Sequence, residues 1–340
     1  TDPTKVSTPN CGQGRVLYVW QSFLQIHSLQ ISLLRVTVCA MEQESLTQLI
    51  QIGYQDYSQA LEEQALELGI SVIRERNKLK LTRPIELLSE EKIRSTLKRP
   101  VNLELFWSID STNSYLMNST DPFMGYRVCL AEQQIAGRGR RGRTWVSPFG
   151  DNLYMSIARR FKRSTTDLGG LSLAVGMQVA KALRQCGIQQ IGLKWPNDII
   201  LGQGKLAGIL VEISPLVADE FNVVVGIGVN TRFRDEDAKL IDQPFSTLEG
   251  IVELSRNDLA GNLINSVLEG LDSFARDGFA SFYPEWDKFN LYAGKKVFVH
   301  LGDSIISGQD AGIDLGGNFK LKTDDGIRIF NAGEISLRAE

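Results

Sequence analysis

Strand-like segments outnumber helical ones in the middle of the chain, and the two kinds do not alternate strictly. Between about Val101 and Phe289, two segments have the length and apolar spacing of helices, Leu168–Cys186 and Asp258–Arg276. The segments with strand character are Leu103–Ile109, Arg127–Glu132, Leu153–Phe161, Leu206–Ile213 and Phe221–Val229. Two long helices set against this many strands predict a mixed sheet that is covered mainly on one face.

After Gly294 the pattern changes to short strands separated by turn-forming residues. The turns are Gly302-Asp303, Gly316-Gly317-Asn318 and Asp324-Asp325-Gly326. Short strands at this spacing are typical of a small closed β-barrel. We therefore expect an α+β protein in which the mixed-sheet domain is followed by a small barrel.

The segment from 41 to 83 resembles the end of a DNA-binding module. Ser58 is placed to cap a helix over Leu61–Leu68, and a hairpin turning at Asn77-Lys78 follows it. A winged helix-turn-helix ends in the same way, with a helix and then a hairpin. Residues 41–73, however, contain six acidic residues and no Lys or Arg, which is the wrong sign of charge for binding phosphates. We expect a degenerate module that keeps a structural role.

Residues 1–40 have a composition of their own, with four charged residues before Met41. Their apolar stretch from 16 to 39 is broken by polar side chains and is too polar for a confident membrane span. It also lacks the small-residue cleavage site of a secretory signal. We expect an upstream extension, with Met41 as the natural start; a peripheral amphipathic anchor is the alternative.

Rare residues and overall charge exclude several kinds of site. Only two histidines occur, His27 and His300, which argues against a histidine-centred triad or a multi-histidine zinc site. The four cysteines are far apart and form no Cys-x-x-Cys, so we expect reduced thiols in a cytoplasmic protein. With 37 basic and 40 acidic residues, the net charge of -3 argues against a surface built as a whole to hold nucleic acid.

A segment rich in glycine and arginine, Gly137–Arg143, follows one of the strand candidates and contains three glycines and four arginines. Glycines let backbone N–H groups approach an anion closely, and guanidinium groups suit phosphate and carboxylate oxygens. Trp145 comes directly afterwards and offers a ring on which a base can stack. The segment matches neither a Walker loop nor a dinucleotide-binding fingerprint.

Three interpretations of this segment stay open on its residues alone. It is a patch for single-stranded nucleic acid, a loop that orders around one phosphorylated small ligand, or a solvated basic loop without function. We favour the small ligand, because the segment is short and lies between two predicted strands. Four arginines so close together also repel one another unless an anion or acidic side chains neutralise them.

Five motifs in order resemble those of the bacterial biotin protein ligases. They are Asp110–Asn113, Gln134 with Gly137–Trp145, Ser147–Tyr154, Lys194–Asp198 and Lys205–Glu212. The resemblance extends from about Pro84 to the ending Gly333–Arg338. The presence of all five motifs in the order of the family is far more specific evidence for this resemblance than any single motif.

The resemblance implies a fold and a division of the chain. The fold is a mixed-sheet catalytic domain like that of class II aminoacyl-tRNA synthetases, with a C-terminal SH3-like β-barrel and a small N-terminal winged-helix remnant. The division is 1–40 unassigned, 41–83 the degenerate winged helix-turn-helix, 84–292 the biotin- and ATP-binding catalytic domain, and 293–340 the barrel.

The resemblance also implies a two-step reaction. The carboxylate of biotin attacks the α-phosphate of ATP to give biotinyl-5′-adenylate, which then acylates one lysine of a biotin carrier domain such as that of acetyl-CoA carboxylase. Biotin and ATP are the substrates, Mg²⁺ is expected although its ligands are unassigned, and a homodimer is allowed.

The implied roles fall on residues of the five motifs and on one residue beyond them. Lys205, Arg140 and Lys194 are the implied catalytic residues, Lys205 holding the carboxyl group and the α-phosphate. The implied biotin site consists of Ser111, Thr112, Asn113, Gln134, Gly137, Arg138, Arg140, Lys205 and Gly208. The implied ATP and adenylate site consists of Arg138, Arg140, Arg143, Trp145, Lys194, Asn197, Asp198 and Asn230, with Asp198 also a guess for the general base of the second step.

Three alternatives remain beside this prediction. The first is a bifunctional ligase that also represses biotin-synthesis genes, which the charge of residues 41–73 argues against. The second is a lipoate or octanoyl ligase of the same fold, which typically lacks the doubled Gly-Arg segment. The third is a nucleic-acid-binding protein that uses the arginines.

Overall fold

The computed structural model describes residues 44–119, 125–162, 168–216, 220–302, 304–332 and 336–339. The expectations for residues 1–40 lie outside this part of the chain. The described residues divide into two compact units, with the boundary between Pro84 and Ile85. Among the described residues, no helix combines the length and the apolar character needed to cross a membrane.

The described part of the first unit, residues 44–84, combines two helices with a small antiparallel sheet. Its elements are α1 (44–52), β1 (Tyr54–Asp56), α2 (Gln59–Glu67), β2 (Val72–Glu75) and β3 (Lys78–Leu81), with strand order β1-β3-β2. Ser58 caps α2 by accepting from the backbone N–H of Leu61, as its position predicts. Leu61 and Ala65 of α2 are buried.

The hairpin between β2 and β3 turns one residue earlier than expected. Glu75 pairs with Lys78, so the two turn residues are Arg76 and Asn77 rather than Asn77 and Lys78. A two-residue hairpin turn needs a positive φ at its first position, and Arg76 adopts it with φ 55°. Asn and Gly take this conformation more readily than Arg, which is why the sequence pointed to the wrong pair.

The second unit is built on a seven-stranded sheet in the order β4-β5-β6-β10-β9-β8-β7. The strands are β4 (Asn102–Ile109), β5 (Arg127–Gln134), β6 (Leu153–Phe161), β7 (Ile191–Lys194), β8 (Asp198–Leu201), β9 (Gly204–Pro215) and β10 (Phe221–Val229). The β4–β5 pair is parallel and the other pairs are antiparallel, which confirms the predicted mixed sheet.

Helices cover the two faces of this sheet unequally, again as predicted. On one face α5 (Leu171–Gln185) and α7 (Arg256–Asp277) pack side by side over the main hydrophobic core, and α3 (Glu90–Thr96) packs against α7. Ser255 caps α7, and Gly278 ends it with φ 66°. On the other face α4 (Thr112–Asn118) covers part of β5, β6 and β10 and leaves the rest of that face available for a site.

The C-terminal strands form a separate antiparallel sheet. They are β11 (Lys296–Leu301), β12 (Ser304–Ile313), β13 (Phe319–Thr323), β14 (Gly326–Phe330) and β15 (Ser336–Ala339), in the order β14-β13-β12-β11-β15. Their inner face joins the main core through Val297, Val299, Phe319 and Leu321.

One short helix, α6 (Asp235–Ala238), lies in the connection between β10 and α7.

Candidate functional site

A cavity opens on the sheet face that α4 leaves exposed, with about 470 Å³ of empty space that includes its opening to solvent. Its walls come from the start of α4, the end of β5, the start of β6, the turn between β7 and β8, the strands β9 and β10, and the glycine-arginine segment. The lining includes Ser111, Thr112, Asn113, Gln134, Arg138, Arg140, Trp145, Asn197, Lys205 and Gly208.

One end of this cavity is formed by polar side chains around the start of α4, which are joined by a chain of hydrogen bonds. Ser111 caps the helix, which brings the next two residues to the cavity wall. Thr112 donates from its backbone N–H (2.9 Å) and its hydroxyl (3.1 Å) to Oε1 of Gln134. The amide nitrogen of Gln134 donates to the hydroxyl of Ser147 at 3.1 Å. These contacts fix polar groups in place before any ligand binds.

Asn113 is held from both sides of its amide. Its Oδ1 accepts from the hydroxyl of Ser156 at 2.5 Å, and its Nδ2 donates to Oε2 of Glu212 at 2.9 Å. A Cβ at Gly226 would collide with this amide, so the glycine lets Asn113 lie directly on β10. The cavity therefore ends in oriented donors and acceptors.

The segment Gly137–Arg143, hereafter the Gly-Arg loop, is folded against the cavity. Its two ends are joined by backbone hydrogen bonds from Gly139 to Arg143 (2.7 Å) and from Trp145 to Gly137 (2.9 Å). A Cβ at Gly137 would collide with the carbonyl oxygen of Trp145, so this position requires glycine. Arg141 turns the loop with φ 59°.

Two arginines of the loop reach different partners. The guanidinium of Arg138 donates to Oε2 of Glu212 at 2.6 Å. That of Arg140 donates to Oδ1 of Asn197 at 3.1 Å and to the backbone carbonyl of Ala332, close to the C-terminal sheet. Burial lowers the pKa of Arg140, partly offset by the charge of Asp198, yet an arginine stays protonated. Arg140 is therefore a charged side chain in a partly desolvated environment.

Lys205 reaches the cavity because of an irregularity in β9. Ala207 and Ile209 point into the core, so strict alternation would place Lys205 in the core as well. Between β8 and β9 the register shifts: Ile199 pairs with Ala207, but Ile200 pairs with Lys205, which leaves one extra residue in β9. This β-bulge turns Lys205 toward the cavity.

The ammonium of Lys205 is held by a carboxylate and an aromatic ring. Its Nζ lies 2.7 Å from Oδ1 of Asp198 and 5.2 Å from the centre of the Trp145 ring. The ring lies on the backbones of Gly208 and Gly228, which face each other on β9 and β10, and any side chain at either position would press against it. Trp145 and Lys205 are therefore fixed side by side.

A second cavity adjoins the first, with about 850 Å³ of empty space that includes its opening to solvent. Trp145 and Lys205 line both cavities, whereas Arg143 and Asn230 line the second. Its remaining lining is largely apolar and comes from the connection between β10 and α7: Phe233, Leu240, Ile241, Asp242, Gln243 and Phe245, with Thr144 and Val146. The rings of Phe233 and Phe245 pack edge to face, with centroids 5.2 Å apart.

Most of the predicted site residues thus meet around two adjoining cavities. The exceptions are Gly137, Asp198 and Lys194, which belong to the lining of neither cavity; Lys194 lies at the end of β7. It pairs in register with Asp198, which in turn pairs with Gly208, so all three lie on the cavity side of the sheet. Trp195–Asn197 form the turn of this hairpin, which is how Asn197 reaches Arg140.

Sequence reasoning missed several residues of the site. Ser156 had a usable signal, since it is a polar residue in the buried apolar strand β6. Glu212 belongs to the motif Lys205–Glu212, but the resemblance implied no role for it. The apolar lining of the second cavity comes from a stretch with no strand or long helix, where no periodicity marks it. For a metal, the described residues contain no cluster of three or more metal-ligating side chains.

Comparison with known proteins gives the site its context. Residues 105–230 match the model of the biotin/lipoate A/B protein ligase family, and residues 292–338 match that of the biotin protein ligase C-terminal domain. The chain is 39% identical over 260 residues to the bifunctional ligase/repressor BirA of Salmonella typhimurium, covering 76% of this chain and 81% of the relative. It is 30% identical over 236 residues to the biotin--[acetyl-CoA-carboxylase] ligase of Paracoccus denitrificans, covering 66% of this chain and 96% of that relative.

A solved structure agrees with these matches. The biotin protein ligase from Aquifex aeolicus in complex with biotin and ATP superimposes with a TM-score of 0.59 at 30% identity, over 70% of this chain and 99% of that one. The predicted resemblance is therefore confirmed by sequence and by fold. The chain belongs to the biotin protein ligase family.

Proposed function

We propose that the two cavities carry out the two-step reaction of an ATP-dependent biotin protein ligase, with biotin in the first cavity and ATP in the second. The observation that carries this proposal is the position of Lys205, which lines both cavities. A lysine in that place meets the carboxylate of one substrate and the α-phosphate of the other. The reaction needs a cation at this point, because two anions must be brought together.

Biotin fits the first cavity with its ureido ring at the polar end. The ring carries two N–H donors and one carbonyl acceptor, and its burial is costly unless all of them find partners. Ser111, Thr112, Asn113 and Gln134 supply oriented groups there. The valeryl chain then runs toward Lys205, along the cavity wall to which Gly208 belongs.

ATP fits the second cavity with its adenine among apolar and aromatic side chains. Phe233, Phe245 and Trp145 provide flat surfaces for stacking a base. Arg143 and Asn230 also line this cavity and are the candidates for the phosphates and the ribose. The triphosphate would then extend toward Lys205, which lines both cavities.

In the first step the biotin carboxylate attacks the α-phosphorus, a new oxygen–phosphorus bond forms, and pyrophosphate leaves. Lys205 and Arg140 stabilise the charge on the phosphate oxygens, and Asp198 holds the ammonium in place at 2.7 Å. Arg138 and Gly137 of the Gly-Arg loop cover the mixed anhydride. Lys194 and Asn197, on the hairpin β7–β8, orient the phosphates from the side.

Magnesium would be held mainly by ATP itself. Asp198, beside Lys205, and Asp242, on the second cavity, are the candidate carboxylates, and one or two protein carboxylates together with substrate phosphates are the usual ligands of Mg²⁺ at such sites. When bound, the ion neutralises part of the triphosphate charge. The donor set is compatible with this use.

In the second step the amino group of a carrier lysine attacks the carbonyl carbon of the adenylate, an amide bond forms, and AMP leaves. The attacking amine must be uncharged. We assign Asp198 as the candidate base, since it lies beside Lys205 at the place where the carbonyl is held. The acceptor is a biotin carboxyl carrier domain, as the names of relatives suggest.

The finer features of the fold belong to the same proposal. The C-terminal sheet would be an SH3-like barrel, the catalytic domain would share the class II synthetase topology, and residues 41–83 would be a winged-helix remnant. Only one helix, α2, separates β1 from β2, and its charged residues are Glu62, Glu63 and Glu67. We therefore propose a ligase of the cytoplasm without tight operator binding, although several relatives are named ligase/repressors.

The proposal is tested by transfer of biotin to protein. The purified chain is incubated with biotin, ATP and the unmodified carrier domain of an acetyl-CoA carboxylase, and the carrier is examined by mass spectrometry. We expect one added biotin at a single lysine, and none on a carrier whose acceptor lysine is replaced by arginine. An unmodified carrier, or modification without ATP, would contradict the proposal.

A further inference from the structure

The carboxylate of Glu212 joins two parts of the site that come from distant places in the sequence. Glu212 lies on β9, and its Oε2 accepts from Nδ2 of Asn113 (2.9 Å) and from Nη2 of Arg138 (2.6 Å). Asn113 belongs to the polar end of the first cavity, and Arg138 belongs to the Gly-Arg loop. One oxygen atom therefore connects the start of α4 to the loop.

The contact with Asn113 decides which way its amide faces. An asparagine amide has a donating and an accepting end, whereas a carboxylate only accepts. Glu212, with the backbone carbonyl of Leu210 at 3.3 Å, holds the nitrogen, and the hydroxyl of Ser156 donates to the oxygen at 2.5 Å. Without Glu212 the side that holds the nitrogen loses its charged acceptor, and the amide is less firmly oriented toward a ligand.

The contact with Arg138 ties the loop to the sheet. The Glu212 side chain is 24% exposed and that of Arg138 is 43% exposed, so the pair lies at the rim of the cavity rather than in its floor. An exposed ion pair alone contributes little to folding stability. Its position across the rim, however, lets it restrain the loop over whatever the cavity holds.

We propose that Glu212 is a positioning residue for the ligase reaction, which orients Asn113 for the ureido ring and holds the Gly-Arg loop over the adenylate. It touches neither reacting atom in this role and acts through its two partners. The inference rests on the proposed function, because it concerns the same site. It adds Glu212 to the residues of the site. Variants of Glu212 can separate recognition of the ureido ring of biotin from retention of the biotinyl-5′-adenylate.

Two variants of Glu212 distinguish its two contacts. Glu212→Gln keeps a neutral acceptor for Asn113 but removes the charge that pairs with Arg138, whereas Glu212→Ala removes both. Glu220→Ala is the matched control, since Glu220 is also 24% exposed, lies in the same unit and pairs with Lys162 at 3.1 Å. Each protein is assayed for its biotin KM and kcat in pyrophosphate exchange, and for the rate at which preformed biotinyl-5′-adenylate leaves it after gel filtration.

We expect Glu212→Ala to raise the biotin KM and the rate of adenylate release by about tenfold each, with kcat changed less than about threefold. Glu212→Gln should raise the release rate similarly and leave KM within about threefold of the wild type. Glu220→Ala should match the wild type in all three quantities. The inference is overturned if Glu212→Ala behaves like Glu220→Ala. It is also overturned if kcat and the melting temperature fall while KM and the release rate stay unchanged, since Glu212 would then be structural.

The wild-type protein separates this inference from the proposed function. If the wild type shows no biotin-dependent exchange, the proposed function fails before Glu212 is tested. If the wild type is active and the Glu212 variants resemble the control, only the inference fails.

Discussion

The ammonium of Lys205 lies 2.7 Å from a carboxylate oxygen of Asp198, on the wall shared by two adjoining cavities. A β-bulge in β9 turns Lys205 to this position, and the Trp145 ring packs beside it. A cation at the junction of two adjoining cavities suits the joining of a carboxylate to an α-phosphate.

Replacing Lys205 by alanine should lower adenylate formation by about 10²–10³-fold, the usual effect of removing one preorganised charge from a reacting oxyanion. The melting temperature should change little by comparison, because Lys205 is a charged side chain at a cavity wall rather than part of the apolar core. Pyrophosphate exchange and thermal melting are measured on the same preparation. Lys162→Ala, at a lysine that is 84% exposed, serves as the control. A parallel fall of rate and stability would make Lys205 a structural residue.

Replacing Gly228 by alanine should weaken ATP binding. The added Cβ would collide with the Trp145 ring, which must then leave the wall between the cavities. We expect the KM for ATP to rise by about tenfold and the KM for biotin to change less. Gly316→Ala is the control, since a Cβ there would meet only the ends of two polar side chains. An unchanged KM for ATP would show that Trp145 does not belong to the ATP site.

Asp272 should make stability depend on acid pH. Burial alone would raise its pKa, but hydrogen bonds from Arg99 and Tyr126 and the charges of Arg99 and Arg159 outweigh burial and hold the pKa below its ordinary value. A carboxylate with a lowered folded-state pKa stabilises the protein above its unfolded-state pKa of about 3.9, and this contribution disappears as pH falls through the folded-state value.

Asp272→Asn should therefore lower the free energy of unfolding by about 1.5–3 kcal/mol at pH 7, the range for a hydrogen bond to a charged group. Urea unfolding of both proteins between pH 7 and pH 3 measures the difference. It should stay constant down to about pH 5 and shrink below about pH 4. A difference that grows as the pH falls would contradict the assigned sign.

The N-terminal unit should not bind operator DNA tightly. A helix-turn-helix places the second of its two helices in the major groove, whereas a single acidic helix lies between β1 and β2. The hairpin does expose Arg74, Arg76 and Lys78, so weak contact with phosphates at low salt is expected. Filter binding with biotin and ATP present, using the operator of a repressor relative and that relative as the positive control, measures this. A nanomolar complex that weakens steeply with salt would overturn the prediction.

Regular elements of the fold were predictable because their apolar patterns are strong. The bounds expected for β6 and β10 match the observed strands, and α5 and α7 were found within three residues at each end. Ser58 was also identified correctly as a helix cap, since capping depends on a few neighbouring residues.

The features that the sequence could not show depend on contacts between residues that are far apart in the chain. The bulge that turns Lys205 outward results from the pairing of β8 with β9, and no local pattern marks it. The pairing of Arg138 with Glu212 spans 74 positions, so the partner that neutralises one of the four loop arginines was not visible. The second cavity consists mostly of an irregular connection, where periodicity carries no information.

Exchange of labelled pyrophosphate into ATP tests the central claim most directly, because it reports formation of the adenylate without any carrier. We expect exchange that requires biotin and does not occur when lipoate replaces it. Exchange with lipoate alone, or no exchange with either acid, would contradict the assignment of the two cavities to biotin and ATP.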